Sequence, residues 1–255
     1  MKCPGCPRKN SPSCGSRGDP KSKLLIVGMA PGKEELLAGK PFVGGSGLLL
    51  DTALRNAGSR LEDHYVINTI NCFPEEEKGH KISYEQWQAC RKRFLVDVHA
   101  SRARAVLPLG GDALLAVTGR RGHGQGISAW RGYVMGEHDY IRPRIRAGKG
   151  FELEGEGRPS TCEFVVPAYH PSFIMQTGLK AFRWLARDVE RALRASRGEL
   201  EVVALDTGPP CPPAAPSREG ASGCSPRPRE VSYDIETVGH TREIERIGLG
   251  WRKDL

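Results

Sequence analysis

One stretch of the chain decides its fold: Leu24-Leu25-Ile26-Val27-Gly28-Met29-Ala30-Pro31-Gly32. An apolar run closed by a glycine is typical of a strand buried on both faces of a parallel sheet. The Gly and Pro residues that follow predict a loop at the carboxyl end of that strand, where ligands bind in open parallel sheets. An ordinary strand-to-helix turn is the competing interpretation of this loop.

Three further apolar runs resemble the first one and alternate with helical stretches. The runs cover 65–68, 105–110 and 164–168, and the predicted helices cover 47–57, 83–99, 112–118 and 181–196. Strands that alternate with helices predict a parallel sheet with helices on both faces. We therefore expect an α/β domain over 1–198, a Pro-rich linker over 199–229 and the start of a second domain over 230–255.

The composition fits a folded, basic protein. The chain has 255 residues, 38% of them apolar, and a formal net charge of +8. That apolar content excludes wholesale disorder, and no apolar run reaches the ~18 residues of a membrane helix. The N-terminus lacks the apolar stretch of a signal peptide, so we expect a cytoplasmic protein with no membrane partner. Residues 1–23 read as an irregular basic arm.

The cysteines point to metal ligation. A reducing compartment does not favour disulfides, yet the chain has eight cysteines. Cys3 and Cys6 form a C-x-x-C pair, and Cys72 and Cys90 supply two more thiolates for a four-thiolate site. Three interpretations of these cysteines are open: a zinc site, an iron–sulfur cluster and a set of unrelated buried thiols. Cys14 is an alternative to one of the N-terminal pair.

Side chains after successive strands converge on one crevice. Phe42 stands among glycines after the first strand, Asn68 closes the second strand, and His170 follows the fourth strand. Taken singly, a histidine at a strand end is more often structural, and a minor core residue is the competing interpretation of Phe42. Because the carboxyl ends of parallel strands share one edge of the sheet, we expect the three side chains to lie near the Gly28–Gly32 loop.

These motifs carry a resemblance to a known family. The segments Gly28-Met29-Ala30-Pro31-Gly32-Lys33-Glu34-Glu35, Gly39-Lys40-Pro41-Phe42-Val43-Gly44, Asn68 with Cys72, and His170-Pro171-Ser172 resemble the iron–sulfur branch (family 4) of the uracil-DNA glycosylase superfamily. The resemblance covers about residues 3 to 198. It implies a three-layer α/β/α sandwich with a four-stranded parallel sheet. It also implies a 4Fe–4S cluster on Cys3, Cys6, Cys72 and Cys90.

The resemblance also implies roles for the crevice residues. Phe42 would stack on an extruded uracil, Asn68 would read the polar edge of the base, and His170 would donate to uracil O2. Other residues at family positions are Ala30 beside the base and the water, and Gly44, Ser46 and Ser172 near the DNA phosphates. Glu35 is the acid of the loop at a family position.

The motif departs from the family in two places. Met29 stands where the family usually has Glu, and Leu36 stands where an Asp is common. A methionine cannot polarise water, so Glu35 and His170 are the predicted catalytic residues. The basic loop of covalently trapping relatives is not evident before His170, so no covalent DNA adduct is expected.

The tail carries a second resemblance. Tyr233-Asp234-Ile235-Glu236-Thr237 is similar to the first motif of DnaQ-like 3′–5′ exonucleases of family A DNA polymerases. Two carboxylates at i and i+2 on a strand share one face, as two-metal hydrolysis requires. The other exonuclease carboxylates are missing, so we expect no nuclease activity. A polymerase or exonuclease domain is thus an expected partner in a longer chain.

The sequence supports two hypotheses on function. The first is a monomeric uracil-DNA glycosylase that hydrolyses the N-glycosidic bond of deoxyuridine in DNA and leaves an abasic site. The second is a lesion-sensing DNA-binding module, weak or inactive because of Met29 and attached to a DNA polymerase. Both take uracil-containing DNA as the partner.

Overall fold

Four parallel strands form the sheet that positions the site. They are β1 (Leu24–Gly28), β2 (Tyr65–Asn68), β3 (Ala105–Pro108) and β4 (Phe164–Val165). Their order is β2-β1-β3-β4, and every strand residue is buried. The predicted parallel sheet is confirmed. The last two strands are shorter than predicted, because beyond them the pairing is reduced to a single bridge between Leu109 and Ala168.

The structure is a computed structural model that describes residues 6, 8, 10–73, 84–118, 126–136 and 158–200. These residues belong to one compact unit, Met1–Glu201. Cys3, nearly all of the predicted linker and the whole predicted tail lie outside the described residues.

Six α-helices lie within the described ranges. They are α1 (Lys33–Ala38), α2 (Gly45–Asn56), α3 (Tyr84–Ala100), α4 (Gly111–Thr118), α5 (Pro171–Thr177) and α6 (Phe182–Arg197). The sequence predicts α2, α3, α4 and α6 but not the two short helices. Helix α1 buries no residue and leaves Leu37 90% exposed, so it has no apolar periodicity to recognise.

The helices cover both faces of the sheet. On one face Leu25 and Val27 of β1 pack in a cluster with Phe94 of α3 and Leu114 of α4. On the other face α6 contacts β1, β3 and β4, and α2 packs against α6. Because neighbouring residues of a strand point to opposite faces, both helix layers can bury apolar side chains of one strand. The expected three-layer α/β/α sandwich is confirmed.

Part of the N-terminal arm is ordered along the sheet edge. Arg17 and Val66 of β2 exchange two backbone hydrogen bonds of 2.9 and 2.8 Å, and Ser13 bridges to Cys72. The described part of the arm has no helix or strand, as expected for an irregular arm, but these bridges pair it with the sheet edge. The physical reason is that β2 is an edge strand, whose N–H and C=O groups need partners.

None of the described helices is long and apolar enough to cross a membrane.

Candidate active site

A cavity of about 610 Å³ opens at the carboxyl edge of the sheet. Its size lies within the roughly 300–1,000 Å³ of typical ligand pockets. Its walls come from the loops after β1, β2 and β3 and from helices α2 and α5. The lining residues include Met29–Glu35, Phe42, Gly44–Ser46, Phe73, Leu109–Asp112, His170, Ser172 and Met175. The convergence expected from the parallel topology is therefore present in the structure.

Most of the residues predicted for the site line this cavity. They are Ala30, Glu35, Phe42, Gly44, Ser46, His170 and Ser172. Asn68 is the exception, since it lies beside the cavity wall and not on it. The structure thus brings seven of the eight predicted non-cysteine residues to one surface.

Gly28 explains how Asn68 comes close to the cavity. A Cβ atom at Gly28 would lie 2.3 Å from Asn68 Oδ1 and 3.0 Å from Phe42 Cε2. Only a residue without a side chain leaves room for these two groups to approach each other. Asn68 is 1% exposed, and its Nδ2 atom has no hydrogen-bond partner within the described structure. A buried amide donor in this state is ready to bind a polar group of a ligand.

Two groups hold the backbone around Asn68. Nη2 of Arg93, on α3, donates to the Asn68 carbonyl at 2.6 Å. Oγ1 of Thr69 donates to the Met29 carbonyl at 2.6 Å, and the Thr69 N–H donates to the Gly28 carbonyl at 3.0 Å. These bonds fix the loop after β2 against the loop after β1.

His170 is the N-cap of α5 and faces Phe42. Its Nδ1 atom accepts from the Ser172 N–H at 3.2 Å and lies 2.7 Å from Ser172 Oγ. The ring centroids of His170 and Phe42 are 5.8 Å apart. Burial lowers the pKa of His170 to about 4, so the imidazole is neutral at pH 7. Because Nδ1 accepts a backbone N–H, the proton sits on Nε2 and is available as a donor.

Glu35 links the two loops on the other side of the cavity. Its carboxylate accepts from the Gly32 N–H at 2.7 Å and, by a short bond, from the Phe42 N–H. Burial raises the pKa of Glu35, and these two backbone donors oppose that rise. Each carboxylate oxygen therefore has one backbone partner and keeps a second lone pair.

The start of α2 forms the wall expected to meet phosphates. Gly44 is the N-cap of this helix, and Ser46 lies in its first turn. The first N–H groups of a helix have no partner within the helix and favour anions. Gly44, Ser46 and Ser172 all line the cavity, so the geometry is compatible with phosphate contacts at its rim.

Three of the four predicted cysteine ligands are described. Cys6, Cys72 and Cys90 are buried and lie outside disulfides, on the arm, the loop after β2 and α3. Their chemistry fits thiolate ligation of a cluster. Across the described ranges no three His, Cys, Asp or Glu side chains form a group that could hold a metal ion. The fourth ligand, Cys3, lies outside those ranges.

Sequence reasoning missed several wall residues. Asp112 follows Gly110 and Gly111 directly after β3, and its place at a strand end was the available signal. Phe73 follows the end of β2 in the same way, so the same signal was available for it. Met175 has no comparable signal, because it lies in the short helix α5.

A family model and several known proteins match the sequence of this chain. The family model described as "Uracil DNA glycosylase superfamily" matches residues 16–194. That match covers the cavity residues and ends before the Pro-rich segment.

Several relatives are each called a type-4 uracil-DNA glycosylase. The protein of Thermotoga maritima is 28% identical over 195 residues, which are 75% of this chain and 88% of the relative. The protein of Archaeoglobus fulgidus is 34% identical over 158 residues, 62% of this chain and 69% of the relative. The protein of Pyrobaculum aerophilum is 34% identical over 126 residues, 47% of this chain and 62% of the relative.

Proposed function

The chain belongs to the uracil-DNA glycosylase superfamily, and we propose that it hydrolyses the N-glycosidic bond of deoxyuridine in DNA to leave an abasic site. The observation that carries this proposal is the meeting of Phe42, His170 and the start of α2 in one cavity. The names of the relatives support a uracil-DNA glycosylase-like repair function. They give no support to an inactive lesion-sensing module.

Phe42 supplies the surface for the base. To reach the cavity, uracil must leave the DNA stack, which costs a few kcal/mol. Base–aromatic stacking contributes about 1–3 kcal/mol and offsets much of that cost. Ala30, on the neighbouring loop, is small enough to border the base.

Asn68 and His170 act on the polar edge of uracil. The Asn68 amide presents a donor and an acceptor, which match uracil O4 and N3–H. The glycosidic bond breaks as uracil leaves with its electron pair, so negative charge develops on O2. The Nε2–H of neutral His170 donates to that oxygen and stabilises the leaving anion.

When the leaving group is stabilised in this way, the attacking water requires less activation as a nucleophile. Met29 offers no charge, so we propose that Glu35 orients the water with its remaining lone pairs. The water adds to C1′ of the sugar as the C1′–N1 bond breaks, and its proton passes to the Glu35 carboxylate and from there to solvent. Gly44, Ser46 and Ser172 hold the flanking phosphates, which positions the sugar.

We also propose that Cys3, Cys6, Cys72 and Cys90 hold a 4Fe–4S cluster, supported by the burial of the three described thiols. When bound, the cluster cross-links segments of the chain through Fe–S bonds. Cys6 and Cys72 belong to the arm and the loop after β2. Cys90 lies one turn before Arg93, whose guanidinium holds the Asn68 carbonyl. Cys72 and Cys90, if bound to the cluster, would therefore help to hold the loop that carries Asn68.

Anaerobically purified protein is expected to be brown, with about four irons and a broad absorbance in the visible blue. Cys72→Ser should lose this absorbance because it removes a ligand. Cys162→Ser is the matched control: Cys162 is also a buried thiol, 3.2 Å from the Phe164 carbonyl, and this variant should keep the absorbance. Colourless protein that contains zinc and no iron would contradict the cluster.

The proposed reaction is tested with an oligonucleotide that contains a single uracil. After incubation, alkali should break the strand at the uracil position, since abasic sites are alkali-labile. The same oligonucleotide with thymine is the control and should stay whole. An intact uracil strand at enzyme excess would overturn the proposed function.

The remaining proposals concern the rest of the chain and its partners. We propose that 199–229 is a linker and that 230–255 is an exonuclease-like segment with a polymerase partner; the support is the spacing of Asp234 and Glu236 after a Pro-rich stretch. We further propose that the protein is a cytoplasmic monomer, as the sequence leads us to expect.

A further inference from the structure

Phe42 has an unusual backbone conformation. Its φ is +56°, and it is the only non-glycine among the described residues with a positive φ. A bulky residue in the left-handed region is strained and persists only where its surroundings hold it. Its ring is nevertheless buried beside Gly28 and His170. Something in the fold therefore has to hold this residue in place.

The contacts of Phe42 show what holds it. Glu35 accepts the Phe42 N–H on one side of the residue. Nη1 of Arg17 donates to the Phe42 carbonyl at 3.1 Å and to the Pro41 carbonyl at 3.4 Å on the other side. Helix α2 packs against the same peptide, since a Cβ at Gly47 would lie 1.9 Å from the Phe42 carbonyl oxygen.

Arg17 is itself anchored at both ends. Its backbone pairs with Val66 at the edge of β2, and its Nη2 makes a short ion pair with Glu62. The Arg17 side chain is only 17% exposed. Such an arginine acts as a fixed donor to carbonyl groups and not as a solvated charge.

We propose that Arg17 is a positioning residue of the base pocket, which holds strained Phe42 so that its ring faces an incoming base. This inference rests on the proposed function for the identity of the base. It gives the N-terminal arm a role in base binding that is distinct from attraction to DNA phosphates. The rival interpretation is that Arg17 contacts phosphate.

Free uracil as a competitive inhibitor separates these interpretations, because it carries no phosphate. Arg17→Met should weaken uracil inhibition about tenfold, since a small displacement of a binding group has large effects. Arg17→Lys should weaken it at least about threefold, because a compact ammonium cannot reproduce the planar fork in which Nη1 reaches the two carbonyls and Nη2 reaches Glu62. If Arg17→Met does not fold, Arg17→Lys decides.

Arg60→Met is the matched control. Arg60 also pairs with Glu62, at 3.9 Å, and its side chain is 59% exposed. This variant removes the same charge and should leave uracil inhibition unchanged. The salt dependence of KM for DNA tests the rival interpretation. If Arg17 contacts a phosphate, Arg17→Met should reduce the slope of log KM against log salt concentration by about 0.9. That reduced slope, with uracil inhibition unchanged in both Arg17 variants, would overturn the proposal.

A spectroscopic measurement separates this proposal from the proposed function. In fluorophenylalanine-labelled protein, the fluorine signal of Phe42 is assigned by its loss in Phe42→Leu. Arg17→Met should shift or broaden that signal, and Arg60→Met should not. If Arg17→Met shifts the fluorine signal but the wild type does not excise uracil, then the positioning role is supported and the proposed glycosylase function is contradicted. The opposite outcome is also distinct. If the wild type excises uracil, and Arg17→Met changes neither the fluorine signal nor uracil inhibition, then the positioning role is refuted and the proposed function is not.

Discussion

His170→Ala should lower kcat on uracil-containing DNA by about 10²–10³-fold, with little change in KM. The substitution removes the donor that we propose stabilises negative charge on the leaving uracil, and the loss of one such donor has effects of this size. The interaction strengthens as charge develops, so the loss falls on kcat. Single-turnover excision at saturating enzyme measures it.

His99→Ala is the control for this prediction, since His99 is exposed in the last turn of α3, apart from the cavity wall. It should keep the wild-type rate within about twofold, as surface substitutions usually do. A His170→Ala rate within about threefold of wild type would remove His170 from the mechanism.

The pH dependence adds a further check on His170. Burial lowers the pKa of His170 to about 4, so the imidazole stays neutral throughout pH 6 to 8. The ratio of the wild-type rate to the His170→Ala rate should then be constant over that range. A ratio that changes severalfold near pH 6.5 would show that His170 titrates like an ordinary histidine.

Asn68→Ala should lower kcat/KM by about 10³–10⁴-fold. Sites built to hydrogen-bond a substrate discriminate by roughly 10⁴–10⁵ when the match is lost. We expect a loss tenfold smaller than that range, because the proposed stacking on Phe42 does not depend on the Asn68 amide and is retained in Asn68→Ala. The measurement is excision with substrate well below KM.

Asn71→Ala is the matched control, in the same loop and with the same substitution. The backbone carbonyl of Asn71 accepts from the Cys14 N–H at 2.8 Å, and alanine keeps this contact because the side chain does not take part in it. We expect a loss of less than about threefold for this variant. Equal losses in both variants would mean that the loop and not the Asn68 amide matters. Retention in Asn68→Ala of the visible absorbance expected of the proposed cluster would show that the loop is still folded.

The elements that sequence predicted best are those set by local pattern. The apolar run Leu24–Val27 and its loop predict β1 and its ligand-binding end, because burial on both faces leaves a continuous apolar signal. Sequence also predicted that Phe42 and His170 lie near the cavity, because both come after strands and a parallel sheet brings the carboxyl ends of its strands to one edge. These inferences required no knowledge of side-chain contacts.

Other features depend on contacts that no local pattern encodes. Arg17 reads as one more basic residue of the arm, and its role becomes visible only when the arm pairs with the edge of β2. Arg93 is similar, because its bond to the Asn68 carbonyl joins segments 25 residues apart. The left-handed backbone of Phe42 was equally hidden, because sequence favours glycine at such positions.

Direct detection of free uracil tests the central claim most directly. Anaerobically purified protein is mixed in excess with DNA that contains one deoxyuridine, and the released base is identified and counted by mass spectrometry. We predict one uracil released for each deoxyuridine, together with one abasic site, and no thymine from the matched thymidine strand. DNA that binds the protein but releases no uracil would contradict the account.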